Sequence, residues 1–347
     1  MSAETFAAKV AETLLEPFAS PENFLRAASG LTDALTDLGS KTAWPWVVSS
    51  LVLALVLYAV GKRRGAVDSQ TSLRAFLAPR GIYGQRSAVL DYKYVAINYS
   101  IRGIVYTPLM AGSSLLLYKL LQPLVVGTLT IDVPLTNPFI RGVLLTIFAV
   151  LLADFGWFLS HYLMHKIPLL WYFHEVHHSA EVLTPVTVYR VHPLEDFVNA
   201  YIGSLLGGLG AAIYAVLSRG DVTVITIFGV NVVIFAFHLF AFQLRHSHIW
   251  LSYGPLMNRI FISPAQHQIH HSLDPKHWSR NYGFIFAVWD GLFGSLYVPR
   301  SREILRLGVP TDPGDFSSVS KLYFLPFAKA GRAVVQKFRT ARALPES

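Results

Sequence analysis

FIRGVLLTIFAVLLADFGWFLSHYLMH, residues 139–165, is an apolar run that ends on two histidines four residues apart. A bilayer is crossed by about 20 residues of helix. Residues 139–160 therefore read as a membrane span that runs straight into His161-Tyr162-Leu163-Met164-His165. Eight residues further on comes His174-Glu175-Val176-His177-His178, and near the end His267-Gln268-Ile269-His270-His271. Residues three and four apart share one face of a helix, so each box offers two or three imidazoles in one direction. A lone histidine on an apolar face is usually a hydrogen-bonded core residue. Many packed together without partners would cost desolvation and would repel when protonated. Converging from three segments, these imidazoles suit two metal ions.

Composition supports a membrane-embedded unit rather than two soluble domains. Hydrophobic residues make up 53% and charged ones 14%, and the apolar residues come in long runs. Four further stretches read as spans: 46–60 (short), 101–126, 197–217 and 222–242. Gly203, Gly207, Gly208 and Gly210 in the fourth span suit close helix packing, and Ser218-Arg219-Gly220-Asp221 reads as the turn between the last two. The expected fold is all-α, an integral membrane helical bundle of about four to five spans with a cytoplasmic histidine-rich helical cap. Residues 1–45 form an amphipathic N-terminal segment, 46–298 the membrane-embedded catalytic domain (boxes within 154–297) and 299–347 a basic cytoplasmic tail.

Loop charge sets the orientation. Lys62, Arg63, Arg64, Arg74, Arg80, Arg86 and Lys93 follow the first span, whereas residues 127–138 carry no Lys or Arg. By the positive-inside rule the former side is cytoplasmic, and so are all three boxes. A bacterial inner membrane and an endoplasmic reticulum membrane would both satisfy this topology. The net charge of +8 includes no block resembling a nucleic-acid footprint, and suits an anionic membrane surface. The tail 317–342 mixes apolar and basic residues: it reads either as an interfacial amphipathic helix or as a solvated basic tail. The absence of cysteine excludes disulfides, cysteine-ligated iron–sulfur clusters and haem–thiolate chemistry within these residues. No basic region leads into a short apolar core at the start, so no secretory signal is expected there.

Asp154 lies seven positions before His161 and eleven before His165, near the same helical stripe. A carboxylate this deep needs a polar partner. It reads as the acceptor for a ligand's other ring N–H, or as a direct ligand; a solvated interfacial aspartate is the plain alternative. Nitrogen-rich, oxygen-poor sites fit iron, zinc, copper or nickel better than magnesium or calcium. Trp157, Trp171, Tyr172, Trp250 and Trp278 read as a lipid entrance or as interfacial anchors.

The boxes HYLMH, HEVHH and HQIHH resemble those of the fatty acid hydroxylase/sterol desaturase superfamily, integral-membrane non-haem di-iron oxygenases. Asn281-Tyr282-Gly283 and Trp289-Asp290-Gly291-Leu292-Phe293-Gly294 are similar to that family's C-terminal signature. The resemblance covers roughly 154–297. It implies His161, His165, His174, His177, His178, His267, His270 and His271 as metal ligands, with further ligands from Arg245-His246-Ser247-His248. There His246 matches best and His248, two residues on, is a further candidate. His192 is left as ligand, supporting group or substrate contact, and His238 and His277 as structural.

The resemblance also implies two iron ions, dioxygen as co-substrate and a lipid substrate such as a sterol or fatty acyl chain, hydroxylated or desaturated at a C–H bond. No His-Pro-Gly-Gly element and no Gly-rich dinucleotide fingerprint are present. Electrons then come from a separate partner: a reductase, ferredoxin or cytochrome. Two alternatives stand beside this, an ether-lipid cleaving monooxygenase and a membrane metal-handling protein. Metal transport would need polar residues staggered through the spans, and Lys119, Asp154 and His238 are few for that.

Overall fold

The computed structural model of the chain describes residues 3–29, 36, 38, 43–101, 104, 137–218, 225–240, 242–310, 312 and 314–343. Most of these are helical. The site is built from α1 (Trp44–Arg63), α2 (Arg86–Ile101), α3 (Pro138–Lys166), α4 (Pro168–His178), α5 (Pro193–Ser218), α6 (Val232–Leu239), α7 (Pro264–His270) and α8 (Val319–Ala343), joined by shorter turns. Ala3–Leu15 and Pro21–Ala28 precede them.

Two prolines bound the central helix. At its start the Asn137 side chain accepts from the N–H groups of Phe139 and Ile140, and Pro138 occupies the first turn. At its end Pro168 holds Ile167 extended (φ −99°, ψ 111°), which stops α3 and lets α4 set off in a new direction. At 1.5 Å per residue α3 is about 43 Å long, more than a hydrocarbon core requires. His161 and His165 thus sit at one end of the span, where α4 folds back against it.

Close helix packing forms where the glycines led one to expect it. A Cβ on Gly156 of α3 would lie 3.4 Å from the Cα of Gly203 in α5, and one on Gly210 would meet Leu152 at 3.0 Å. Backbones approach this closely only with small residues between them. Ser160 and Asn199 add a hydrogen bond across the same pair.

Among the described residues, α1 and α3 are long and apolar enough to cross a membrane. Both expose large apolar side chains, including Val48, Leu51, Val52 and Val56 on α1 and Phe139, Ile140, Leu144 and Ile147 on α3. The expected span at 101–126 and the turn at 218–221 lie almost wholly outside the described residues. The expected span at 197–217 falls within α5, which begins with Glu195 and Asp196 in its first turn.

The expected last span, 222–242, is corrected. Its described part opens as an antiparallel ribbon, β1 (Thr226–Ile227) paired with β2 (Val230–Asn231). Then follows α6, at eight residues only about 12 Å long and too short to cross. Phe228 and Gly229 both take positive φ (49° and 80°), the geometry of a two-residue hairpin turn. The Asn231 side chain then caps α6 through the N–H of Val233. Thr146 of α3 receives the N–H of Ile225. A predominantly apolar stretch does not by periodicity alone reveal whether it is strand or helix.

Candidate metal centre

Nine imidazoles form two groups. His161, His165, His174, His178 and His270 offer ring nitrogens within 4.8 Å of one another, as do His177, His246, His267 and His271. The groups adjoin, with the His178 and His271 rings 4.5 Å apart. Each HxxHH box was expected to present its imidazoles in one direction; instead each divides between the groups. On α4, His174 and His178 enter the first group and His177 the second. On and just after α7, His267 and His271 enter the second and His270 the first. Residues at i, i+3 and i+4 fan across part of a helix face, enough to reach two adjacent centres. His161 and His165, i and i+4 on α3, complete the first group, and His246 the second.

Four outer nitrogens are anchored, which fixes the inner nitrogens of those rings. The Nδ1–H of His174 donates to Glu195 Oε1 at 2.7 Å. That of His161 goes to the carbonyl of Tyr282 at 2.8 Å, that of His270 to Arg280 at 2.7 Å, and that of His177 to Arg190 at 3.3 Å. A neutral ring with its proton on Nδ1 directs a lone pair from Nε2, the orientation metal ligands need.

Nε2 of His174 faces Nε2 of both His161 and His178 at 3.1 Å, while Nε2 of His246 faces His177, His267 and His271 at 3.0–3.2 Å. His161 and His174 have already given their protons outward, so their lone pairs oppose one another without a hydrogen bond. The Nε2 atoms of His165 and His270 are buried with no hydrogen-bond partner. A cation bonded to nitrogen at roughly 2.0–2.1 Å relieves both features, since adjacent donors around it stand about 3.0–3.4 Å apart. The donor set fits a late first-row transition metal in each group.

Burial holds these rings neutral. It lowers His174 to about 3. His177, His178 and His271 lie well below the usual imidazole range, through burial first and neighbouring imidazoles next. At His267 the second cause is Arg245. An unfolded chain protonates such rings below about pH 6.5, whereas the folded one does not until far lower. The unfolded state thus binds more protons in that window, and stability falls as pH falls. The thermal midpoint of metal-free protein is expected to be lower at about pH 5 than at about pH 7.5; an equal midpoint would contradict burial of neutral imidazoles.

The sequence Asn281–Gly294 forms a clasp around the first group. Asp290 accepts from the N–H groups of Tyr282 and Gly283, both at 2.8 Å, and from Ser295 Oγ at 2.5 Å. This sets the Tyr282 carbonyl that holds His161. Asn281, at φ 58°, donates to the Gln266 carbonyl and accepts from the N–H of Tyr297. A Cβ on Gly283 would fall 2.6 Å from the Phe286 carbonyl oxygen and 2.9 Å from Asp290 Oδ2. Gly283→Ala is expected to cost about 1–3 kcal/mol or more by overpacking and to weaken metal retention. A thermal midpoint equal to the parent's would show that the clasp can yield.

Two expected site residues lie elsewhere. Asp154 was expected to serve an imidazole or a metal. Its oxygens instead accept from the N–H groups of Ile285 (2.7 Å) and Phe286 (3.1 Å) and from Trp289 Nε1 (2.9 Å). Seven residues of helix place it about 10 Å below His161, where it fastens the clasp to α3. His248 is outside both groups: its Nε2 lies 2.7 Å from the Phe76 carbonyl, between the rings of Phe76 and Tyr83. Ser247 turns the chain after His246, so the two histidines diverge. His192 bonds the Tyr323 carbonyl, His238 packs against Trp46 and His277 bonds Glu303.

Sequence reasoning missed Glu195, Arg245 and the role of Asp290. Arg245 is buried and donates to His267 Nδ1 at 2.9 Å and to the carbonyls of Phe284 and Gly283. Unlike His161, His174, His177 and His270, a neutral His267 therefore carries its proton on the inward Nε2, and a metal held there would have to displace it. Glu195 carried one signal: with Asp196 it opens a largely apolar helix just after His192-Pro193.

Fold and site together define a helical membrane protein whose box-bearing helices close around two imidazole groups fit to hold metal. Residues 146–295 match the model of the fatty acid hydroxylase family. Over 191 residues the chain is 29% identical to an ornithine lipid hydroxylase of Rhizobium tropici, covering 54% of this chain and 51% of that one. Over 177 residues it is 27% identical to an alkylglycerol monooxygenase of Caenorhabditis elegans, covering 50% and 31%. Over 164 residues it is 26% identical to a Delta(7)-sterol 5(6)-desaturase of Eremothecium gossypii, covering 46% and 40%. The chain spans about a third to a half of the length of these curated relatives. No solved structure matches it.

Proposed function

We propose that the protein is a membrane oxidoreductase that uses dioxygen to hydroxylate a C–H bond of a lipid, with one iron ion in each imidazole group. His161, His165, His174, His178 and His270 would hold the first ion and His177, His246, His267 and His271 the second. The observation that carries this reading is the pair of imidazole groups, in which the outer nitrogens of His174, His161, His177 and His270 are held by Glu195 and by the carbonyls of Tyr282, Arg190 and Arg280. Bound iron would supply the oxidising power for breaking an unactivated C–H bond. Hydroxylation places one oxygen atom of dioxygen in the product and sends the other to water, consuming two electrons and two protons.

The chain's own residues orient and seclude. Glu195 and the three carbonyls fix ring tautomers, Asp290 and Asp154 hold the clasp, and burial keeps bulk water from the imidazoles. A lipid substrate is supported by α1 and α3, which reach the depth of acyl chains, and by the activities that the relatives' names record. The cytoplasmic orientation rests on the basic segment 62–93, next to which a separate reductase, ferredoxin or cytochrome would deliver electrons. Ether-lipid cleavage is the second reading, favoured by the likeness to alkylglycerol monooxygenase: hydroxylation next to an ether oxygen leads to cleavage there.

The test is untargeted lipid mass spectrometry on cells making the intact chain or His270→Ala, grown under labelled dioxygen. A labelled oxygen gained only with the intact chain is expected. Loss of two hydrogens without label would replace hydroxylation by desaturation, and loss of ether lipids with new fatty aldehyde would favour the second reading. Identical lipids in both, with substrate and electron donor supplied, would sink the proposal.

A further inference from the structure

Helix α8 has two apolar faces: one is covered by the protein and the other is largely exposed, with Phe327 at its edge also meeting Phe173 and His192. Leu322 is fully buried in a cluster with Tyr94, Val176 and Phe316. On the same side Lys329 reaches Glu175 of α4 at 3.0 Å and Asp315 at 3.4 Å. This docks α8 on the helix that carries His174, His177 and His178. The opposite side would be polar if it faced water. Instead Phe324, Phe327, Gly331, Val335 and Phe338 follow at steps of three and four, a stripe spanning about a 100° arc. Phe324 is 70% exposed, Phe327 54%, Val335 51% and Phe338 69%.

Charge identifies the occupant. Between Val319 and Ala343 there are six basic residues and no acidic one. Lys321, Arg332 and Arg339 stand along one flank of the stripe and Lys337 beyond the other, all exposed. An apolar stripe with aromatic residues, edged by cations on a long helix, is the pattern that lies in the plane of a membrane interface and favours anionic headgroups. The same chain is held in the bilayer by α1 and α3, so that surface is within reach. We propose that the Phe324–Phe338 face of α8 seats on the anionic surface of the bilayer, while its other face is fastened to α4. This holds whatever reaction the metal centre performs.

The cysteine-free chain allows a clean test. Single cysteines replace Phe324, Val335 or Phe338 on the stripe, or Gln336 off it, in the full-length protein. Each carries a nitroxide label and is reconstituted in phosphatidylcholine vesicles with or without phosphatidylglycerol. Collision rates with oxygen, which concentrates in lipid, and with a water-soluble nickel chelate are then compared. With phosphatidylglycerol, the stripe labels should be open to oxygen and shielded from nickel, and the Gln336 label the reverse. Omitting phosphatidylglycerol, or adding Arg332→Glu with Arg339→Glu, should raise nickel access on the stripe. Equal metal content across the variants serves as the check on folding. Stripe labels as open to nickel as Gln336 would overturn the proposal. So would labels shielded from both probes, which would mean a protein contact such as a second copy. Lipid-facing labels indifferent to phosphatidylglycerol and to the double substitution would overturn the anionic recognition.

Discussion

Replacing His270 with alanine is expected to abolish product formation and, on the proposed reading of one ion in each group, to lower bound metal by the share held in the first group, with membrane insertion retained. His270 enters the first group with its Nδ1 held by the Arg280 carbonyl at 2.7 Å and its Nε2 buried without any hydrogen-bond partner. Alanine removes a donor that no neighbour replaces. The loss should exceed the roughly 10–100-fold that follows removal of a group merely supporting a ligand. Glu195→Gln, which weakens the hold on His174 without removing a donor, should fall in that smaller range. His248→Ala should retain both metal ions, because that ring lies against Phe76 and Tyr83. Elemental analysis of purified protein checks all three. Full metal content in His270→Ala, or its loss in His248→Ala, would redraw the site.

Arg190→Met is expected to be the most destabilising change outside the imidazole groups, at about 3–5 kcal/mol for one broken partner of a buried ion pair. Arg190 is 1% exposed. It donates from Nη1 to Asp91 at 2.8 Å, from Nη2 to Ser179 Oγ at 2.7 Å and from Nε to the Val176 carbonyl at 3.0 Å. It therefore ties α2 to the C-terminal end of α4, and its own carbonyl holds His177. Burial already pushes the Asp91 carboxyl up, against the opposing pull of Arg190. Methionine would leave that carboxylate buried and unpaired. Adding Asp91→Asn should recover part of the loss, since the cost lies largely in the orphaned charge. Thermal unfolding in detergent measures both; a single-variant loss under about 1 kcal/mol would mean water reaches Asp91.

Much of the site could be read from spacing because metal ligation is demanding in residue type and helical interval. His161, His165 and the histidines of the two HxxHH boxes all come together in the two groups, as convergence from three segments suggested. The division of each box between two groups could not be read. It depends on the angle at which α4 and α7 meet α3, set by Pro168 at one junction and by the Asn281–Gly294 clasp at another. Asp154 was visible as an anomaly in an apolar helix, but its partners lie more than 130 residues away in the chain. For the same reason nothing marked Arg245 or Asp290 as supports of the site.

Unaided, the sequence determined the apolar, span-length character of α1 and α3 and the clustering of histidines at intervals that suit metal. These follow from local physics: run length against bilayer thickness and the chemistry of imidazole. The structure decided that the expected last span is a ribbon and a short helix: a predominantly apolar stretch suits strand and helix alike until the Phe228-Gly229 turn, the Asn231 cap and the contact to Thr146 choose. It alone decided which nitrogens face inward and which outward. That choice rests on carbonyls and carboxylates brought from distant segments, and a hydrogen-bond acceptor contributed through space leaves no trace in spacing along the chain.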